Sequence, residues 1–146
     1  MLVHGTAIAI DGDAMLLRGP PGAGKSDLAL RLIDRGARLV ADDQVQLQRI
    51  SARLSVSAPA AIAGLLEVRG IGILRLDALA EAPLVMCVDL LPSAEIERLP
   101  ERRFAELLGV EIPLIAVSAF DASAAAKLRL ALRVFAEEPL PAIIQP

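Results

Sequence analysis

The chain has 146 residues, a size that fits one domain burying roughly two-thirds of the surface its unfolded form exposes. Its composition is 55% hydrophobic with three Phe and neither Trp nor Tyr, so the core must be built from Leu, Ile, Val and Ala. The 15 basic and 18 acidic side chains leave a net charge of −3 with no block of one sign, which speaks against a nucleic-acid partner.

In chain order, Leu2–Ile10 is rich in β-branched and small apolar residues and reads as a strand. Asp11-Gly12-Asp13 is a turn signal, and Ala14–Arg18 is a second strand, so the two predict a hairpin. After Gly19–Ser26, apolar residues at Leu28, Leu32 and Ile33, with Ala29 and Leu30 nearby, recur at helical spacing, and Gly36 stands where a helix stops. Arg38–Ala41 is a brief strand ending at Asp42-Asp43. Val45–Ile50 and Leu54–Ser57 alternate around Ser51-Ala52-Arg53 and predict another hairpin.

Ala58–Gly64 is expected as a loop or short helix, and Leu84–Leu91 as a buried strand. Pro92–Pro100 is a connection, Glu101–Leu108 is helix-like, and Ile112–Val117 is strand-like. Ser123–Glu138 places Leu128, Leu132 and Phe135 on one helical face, and the proline-bearing tail Pro139–Pro146 is expected to be extended. No internal repeat and no domain boundary is visible, so residues 1–146 read as one domain. Hairpins flanking the loop fit poorly with a purely parallel sheet, and the expected class is α/β with a mixed β core and flanking helices.

The amino terminus lacks a basic region, and Asp11 and Asp13 interrupt its apolar stretch, which argues against a secretory signal. No apolar run approaches the roughly 18–20 residues of a membrane span. The single cysteine, Cys87, has no internal partner and reads as a small core hydrophobe in a reducing compartment. A soluble, cytoplasmic protein is expected.

Gly19-Pro20-Pro21-Gly22-Ala23-Gly24-Lys25-Ser26 matches G-x-x-x-x-G-K-[ST] in full. Glycines let the backbone turn its N–H groups inward on a phosphate, where a Cβ would block both the dihedrals and the approach. The helix that follows points its first N–H groups at the same anion. Lys25 can reach the β- and γ-phosphates, and the Ser26 hydroxyl can ligate Mg²⁺. The loop fixes a ligand class, a nucleoside triphosphate such as ATP, and leaves the reaction open.

Three further features narrow it: His4 near the start of the first strand, Asp42-Asp43 at a strand end, and Glu67-Val68-Arg69-Gly70-Ile71-Gly72-Ile73. Each has a plainer reading as a structural histidine, a turn or cap, and a surface ion pair between Glu67 and Arg69 on one face of an extended segment. Two adjacent carboxylates could also bind a metal together, and the residues alone leave that open.

With His4-Gly5, the complete loop, R-L-V-A-D-D at Arg38–Asp43 and E-V-R-G-I-G-I at Glu67–Ile73, the chain resembles the catalytic domain of HPr kinase/phosphorylase. That bacterial enzyme phosphorylates a serine of the phosphocarrier HPr. The resemblance implies that Asp43 is the base for the target serine, with Asp42 shaping the charge beside it. It implies that Lys25 holds the transferred group, that Ser26 and Glu67 serve the metal, and that His4 lies near the phosphates. Aligning Glu97-Arg98-Leu99 with a similar stretch makes Arg98 the essential arginine, with Arg102 and Arg103 close by. A phosphoenolpyruvate-carboxykinase-like arrangement and a homo-hexamer are implied as well.

Two departures stand out. The family usually carries an additional amino-terminal domain, and the position of Met1 three residues before His4 suggests a naturally short form. Where the family has P-V-x-P-G-R-N, this chain reads Val117-Ser118-Ala119-Phe120-Asp121-Ala122-Ser123, which weighs against the reverse, phosphorolytic reaction. The expectation is therefore an ATP-dependent protein-serine kinase acting on HPr or a paralogue. The competing readings are an ATP-binding sensor without phosphoryl transfer and a small-molecule kinase.

Overall fold

The computed structural model describes residues 1–137, and the tail expected to be extended, Pro139–Pro146, lies outside them. Within those residues are strands β1 (Leu2–His4), β2 (Thr6–Ile10), β3 (Asp13–Arg18), β4 (Arg38–Ala41), β5 (Gln44–Ile50) and β6 (Arg53–Ser57). They continue with β7 (Leu65–Val68), β8 (Gly72–Arg75), β9 (Glu81–Leu90), β10 (Arg103–Leu107) and β11 (Val110–Val117). Helix α1 covers Lys25–Asp34 and α2 covers Ala124–Ala136, with short 3-10 turns at Ala60–Ile62 and Ser93–Glu95. Neither helix is long and apolar enough to cross a membrane.

The fold is a mixed α/β arrangement organised on β9. The first part of β9 pairs antiparallel with β6 through Glu81–Pro83. Its second part lies parallel to β3 on one side and to β11 on the other. From β3 the sheet continues to β2 and then β4, each step antiparallel, while β10 closes the other edge against β11. The ribbon β1-β5-β6 leaves from the first part of β9 and curls over one face.

The central strands are therefore covered on both sides. Met15 and Leu17 of β3 meet Leu28, Leu32, Leu128 and Leu132 of the two helices. Ala14 and Leu16 face the ribbon residues Val45, Leu47, Leu54 and Val56 instead. A strand buried on both faces reads as a near-continuous apolar run, which is why Leu84–Leu91, interrupted only by Asp89, was legible as one. At roughly 25 cal/mol per Å² of apolar surface removed from water, these two layers supply the main stabilising term.

The hairpin β2–β3 turns at Asp11-Gly12 with φ of 51° and 84°, the type I′ geometry that suits strand twist. Three expectations are corrected. Leu2–Ile10 is not one strand: Gly5 breaks it, sending β1 to pair with β5 while β2 joins β3 and β4. The Gly5 N–H donates to the Asp43 carbonyl at 3.1 Å, and a Cβ at Gly5 would come within 2.8 Å of the Leu17 carbonyl oxygen.

The helix expected at Glu101–Leu108 is the edge strand β10. Its turn is Leu108-Gly109, with φ of 49° and 77°, and this type I′ corner folds the segment back on β11 in a register that pairs Leu107 with Val110. The segment around Glu67–Ile73 is not extended throughout but is the β7–β8 hairpin, and Arg69 sits in its turn, so Glu67 and Arg69 do not share a strand face. The expected helix Ser123–Glu138 is otherwise α2, and Glu138 lies outside the described residues.

Candidate functional site

Strand β3 ends at Arg18, and the Gly19–Ser26 loop carries the chain from the sheet into α1. The Ala23 N–H donates to the Pro20 carbonyl at 3.0 Å, which tightens the loop. Gly24 then caps α1 with φ 95°, a left-handed value, and its carbonyl accepts the first helical hydrogen bond from Leu28 at 2.9 Å. Gly24 is also in tight contact: a Cβ there would lie 2.8 Å from the Ala119 Cβ and 3.2 Å from the Phe120 Cζ. The N–H groups of the first turn of α1 have no partner within the helix and, with the helix dipole, favour an anion in front of them.

Lys25 is buried, and its ammonium folds back on the loop, donating to the carbonyls of Gly19 at 2.6 Å and Pro20 at 3.1 Å. Both partners are neutral, so among the described residues no carboxylate neutralises the charge. A positive group held beside a turn of N–H donors fits a polyphosphate.

Strand β4, hydrogen-bonded to β2, delivers the aspartate pair to the same end of the sheet. Asp42 is 9% exposed and accepts hydrogen bonds from the hydroxyls of Thr6 at 2.8 Å and Ser26 at 3.1 Å. Asp43 turns the other way. Its φ is 71°, its side chain is 72% exposed, and an oxygen lies 3.6 Å from Nδ1 of His4. The Gly5 N–H and the Gln44 N–H bind the carbonyls of Asp43 and Asp42, fixing this corner.

Adjacent in sequence, the two carboxylates thus have separate environments, one buried against the start of α1 and one open to solvent. The Ser26 hydroxyl with the Asp42 carboxylate is an oxygen pair suited to a hard cation such as Mg²⁺. Among the described residues no three His, Cys, Asp or Glu side chains converge on one point.

The other expected residues are placed differently. Leu66 and Val68 of β7 point into the core with α1, and Glu67 between them is exposed. Arg98 is exposed on the connection before β10, and among the described residues no hydrogen bond or ion pair ties it to the loop. Its neighbours Glu97 and Leu99 line an apolar cleft of about 180 Å³ with Phe104, Ile115 and Phe135, which shares no lining residue with the loop or the aspartates.

Thr6 is fully buried and bonds to Asp42; sequence reasoning missed it, although a lone hydroxyl inside the apolar run Thr6–Ile10 was a signal. Just before the loop, Arg18 donates to Asp89 at 2.8 Å. Partial burial opposes the Arg18 charge, but the hydrogen bond and charge of Asp89 outweigh it and raise the Arg18 pKa.

The family model for the HPr Serine kinase C-terminal domain matches residues 1–129. The HPr kinase/phosphorylase of Caldanaerobacter subterraneus subsp. tengcongensis is 40% identical over 113 residues, covering 75% of this chain and 36% of that protein. That of Clostridium novyi is 47% identical over 77 residues, covering 53% of this chain and 25% of that protein. The solved structure of the Hpr(Ser) kinase/phosphatase from Coxiella burnetii superposes with a TM-score of 0.81 at 25% identity, covering 91% of this chain and 94% of that one. The chain therefore spans about a third of the length of the first of these curated relatives.

Proposed function

The chain belongs to the HPr serine kinase C-terminal domain family, and from that premise we propose that it is an ATP-dependent kinase that phosphorylates a serine of an HPr-like carrier protein. The observation that carries the reading is the hydrogen bond from Ser26 to Asp42 beside a lysine that bonds only neutral carbonyls among the described residues. A phosphate loop, a hard-cation pair and a separate exposed carboxylate are what phosphoryl transfer asks of a protein.

In this reading Gly19, Pro20, Pro21, Gly22, Ala23 and Gly24 wrap the phosphates, and Lys25 leaves the carbonyls of Gly19 and Pro20 to bind the transferred group. Ser26 and Asp42 hold Mg²⁺, with Glu67 as a further oxygen donor. When bound, Mg²⁺ offsets charge on the phosphoryl oxygens. Asp43 takes the proton from the incoming serine hydroxyl, and His4 lies 3.6 Å from that carboxylate at the same corner. Arg98 is proposed as the arginine that meets the transferred phosphoryl group.

The proposed direction is phosphorylation only, because Phe120 and its neighbours stand where the family resemblance called for an arginine and a Pro-Gly turn. A phosphoenolpyruvate-carboxykinase-like arrangement, a homo-hexamer and action in the cytoplasm belong to the same proposal. Incubation with Mg²⁺, labelled ATP and an HPr-like protein tests it. Label should appear on a serine, depend on Lys25 and Asp43, and resist inorganic phosphate. Binding of ATP with no transfer to any carrier would favour the sensor reading instead.

A further inference from the structure

With only three Phe in the chain, the position of each can be followed: Phe135 is buried in the core, Phe104 is half-exposed beside the cleft, and Phe120 is 70% exposed. Phe120 is not at a loose tip. It stands in a turn closed by the Asp121 N–H on the Ser118 carbonyl at 3.2 Å, between the buried Ala119 and the start of α2.

The turn is tied to the very helix that the Gly19–Ser26 loop opens. The Arg31 guanidinium of α1 donates to the carbonyls of Ala119 and Asp121, and its other side binds Asp27 at 3.1 Å. The edge of the Phe120 ring approaches Gly24 so closely that a Cβ there would meet ring carbons at 3.2 and 3.3 Å. An aromatic ring is thus fixed against the residue before Lys25, with most of its surface open to solvent.

From this placement we infer that Phe120 is the platform on which the base of the bound nucleotide packs, and so a specificity-determining residue for nucleotides over bare polyphosphate. The inference rests on the nucleotide reading of the Gly19–Ser26 loop. Phosphates held by that loop leave the base just outside it, and a base finds affinity without sequence of donors by lying on an aromatic face. The ring is already ordered, so little conformational freedom is lost when a base covers it. An exposed apolar ring fixed by polar contacts of its neighbours also gains by being covered from water.

The test compares Mg²⁺-ATP with Mg²⁺-tripolyphosphate, which carries the phosphates without a base, by titration calorimetry on the wild-type chain, Phe120→Ala and Phe120→Tyr. The expected result is about 10-fold weaker ATP binding for Phe120→Ala, unchanged tripolyphosphate binding, and wild-type ATP affinity in Phe120→Tyr. Unchanged ATP affinity in Phe120→Ala overturns the platform while leaving the nucleotide reading intact. Equal loss of both ligands also overturns it, because the ring would then only shape the loop. A raised KM for the carrier protein with unchanged nucleotide affinity would assign the ring to the protein substrate instead. Failure of the wild-type chain to bind either ligand would remove the nucleotide reading itself.

Discussion

Ser26 and Asp42 are 16 residues apart in sequence and are joined by a hydrogen bond of 3.1 Å that ties the first turn of α1 to the end of β4. The contact divides the aspartate pair. Asp42 is committed to the helix start, while Asp43 is left exposed and turned toward His4. Chemistry that needs a bound cation and a free base side by side can use one residue for each.

Replacing the exposed member should affect chemistry and spare the fold. Asp43→Asn keeps the side-chain volume, and Asn tolerates the left-handed φ of 71°. We expect stability within about 0.5 kcal/mol of wild type and phosphoryl transfer reduced by roughly 10²–10⁴-fold, with ATP affinity retained. Single-turnover transfer and calorimetry on the same preparation decide it, and wild-type transfer by the variant would remove Asp43 as the base.

The buried member should behave in the opposite way. Asp42→Ala strips the partner from the fully buried Thr6 hydroxyl, at a cost of about 1–3 kcal/mol. It should also abolish the Mg²⁺ dependence of ATP binding. Thr6→Val removes the same hydrogen bond without touching the Ser26–Asp42 pair, so it should cost stability of similar size and leave the Mg²⁺ effect in place. Urea midpoints at constant m-value report the stability. If Asp42→Ala binds ATP with undiminished Mg²⁺ dependence, the hydroxyl–carboxylate pair is not the cation site.

How far these features were legible depends on the range of the interactions behind them. Lys25, Ser26 and their loop are a local pattern, and Asp11-Gly12 announces its own hairpin. Gly109 carried an equally local turn signal, but apolar residues at Phe104, Ala105, Leu107 and Leu108 satisfy helical spacing as well as strand pairing. The partner strand β11 settles the matter in favour of a strand. Gly5 breaks an apparently continuous strand where the Leu17 carbonyl leaves no room for a Cβ and the carbonyl of Asp43, distant in sequence, takes its N–H. The role of Thr6 was hidden for the same reason, since its partner lies 36 residues away. His4, Lys25, Ser26 and the aspartate pair do gather at one end of the sheet, whereas Glu67 and Arg98 rest on resemblance alone.

The contact at Gly24 makes a prediction about stability that Gly22 can calibrate. Both residues have positive φ, 85° at Gly22 and 95° at Gly24, so alanine at either costs about 1–2 kcal/mol of backbone strain. Among the described residues a Cβ at Gly22 meets nothing within 4 Å, but at Gly24 it meets the Ala119 Cβ at 2.8 Å and the Phe120 ring. Gly24→Ala should therefore lower Tm by several degrees more than Gly22→Ala, at about 3 °C per kcal/mol for a chain of this size. Equal losses would mean that the 118–121 turn yields freely, and the packing of Phe120 on the loop would have to be reconsidered.

Cys87 links the core to alkaline pH. Its side chain is fully buried in the β9 layer, and burial pushes the thiol pKa up to about 11, with the Asp89 charge adding to the shift and Arg18 opposing it. The folded chain therefore keeps this proton to higher pH than the unfolded chain, whose thiol titrates near its ordinary value of about 8.5. The stability from keeping Cys87 neutral is complete below about pH 8.5 and declines as pH rises toward about 11, by on the order of 3 kcal/mol in all. Cys87→Ala loses packing at every pH but cannot show that decline, so its stability should fall less steeply than wild type between pH 8.5 and 10.5. The native thiol should also resist modification at pH 8 until the chain unfolds. Parallel pH slopes for the two proteins, or rapid labelling of the native thiol, would mean that β9 opens to solvent far more readily than its packing allows.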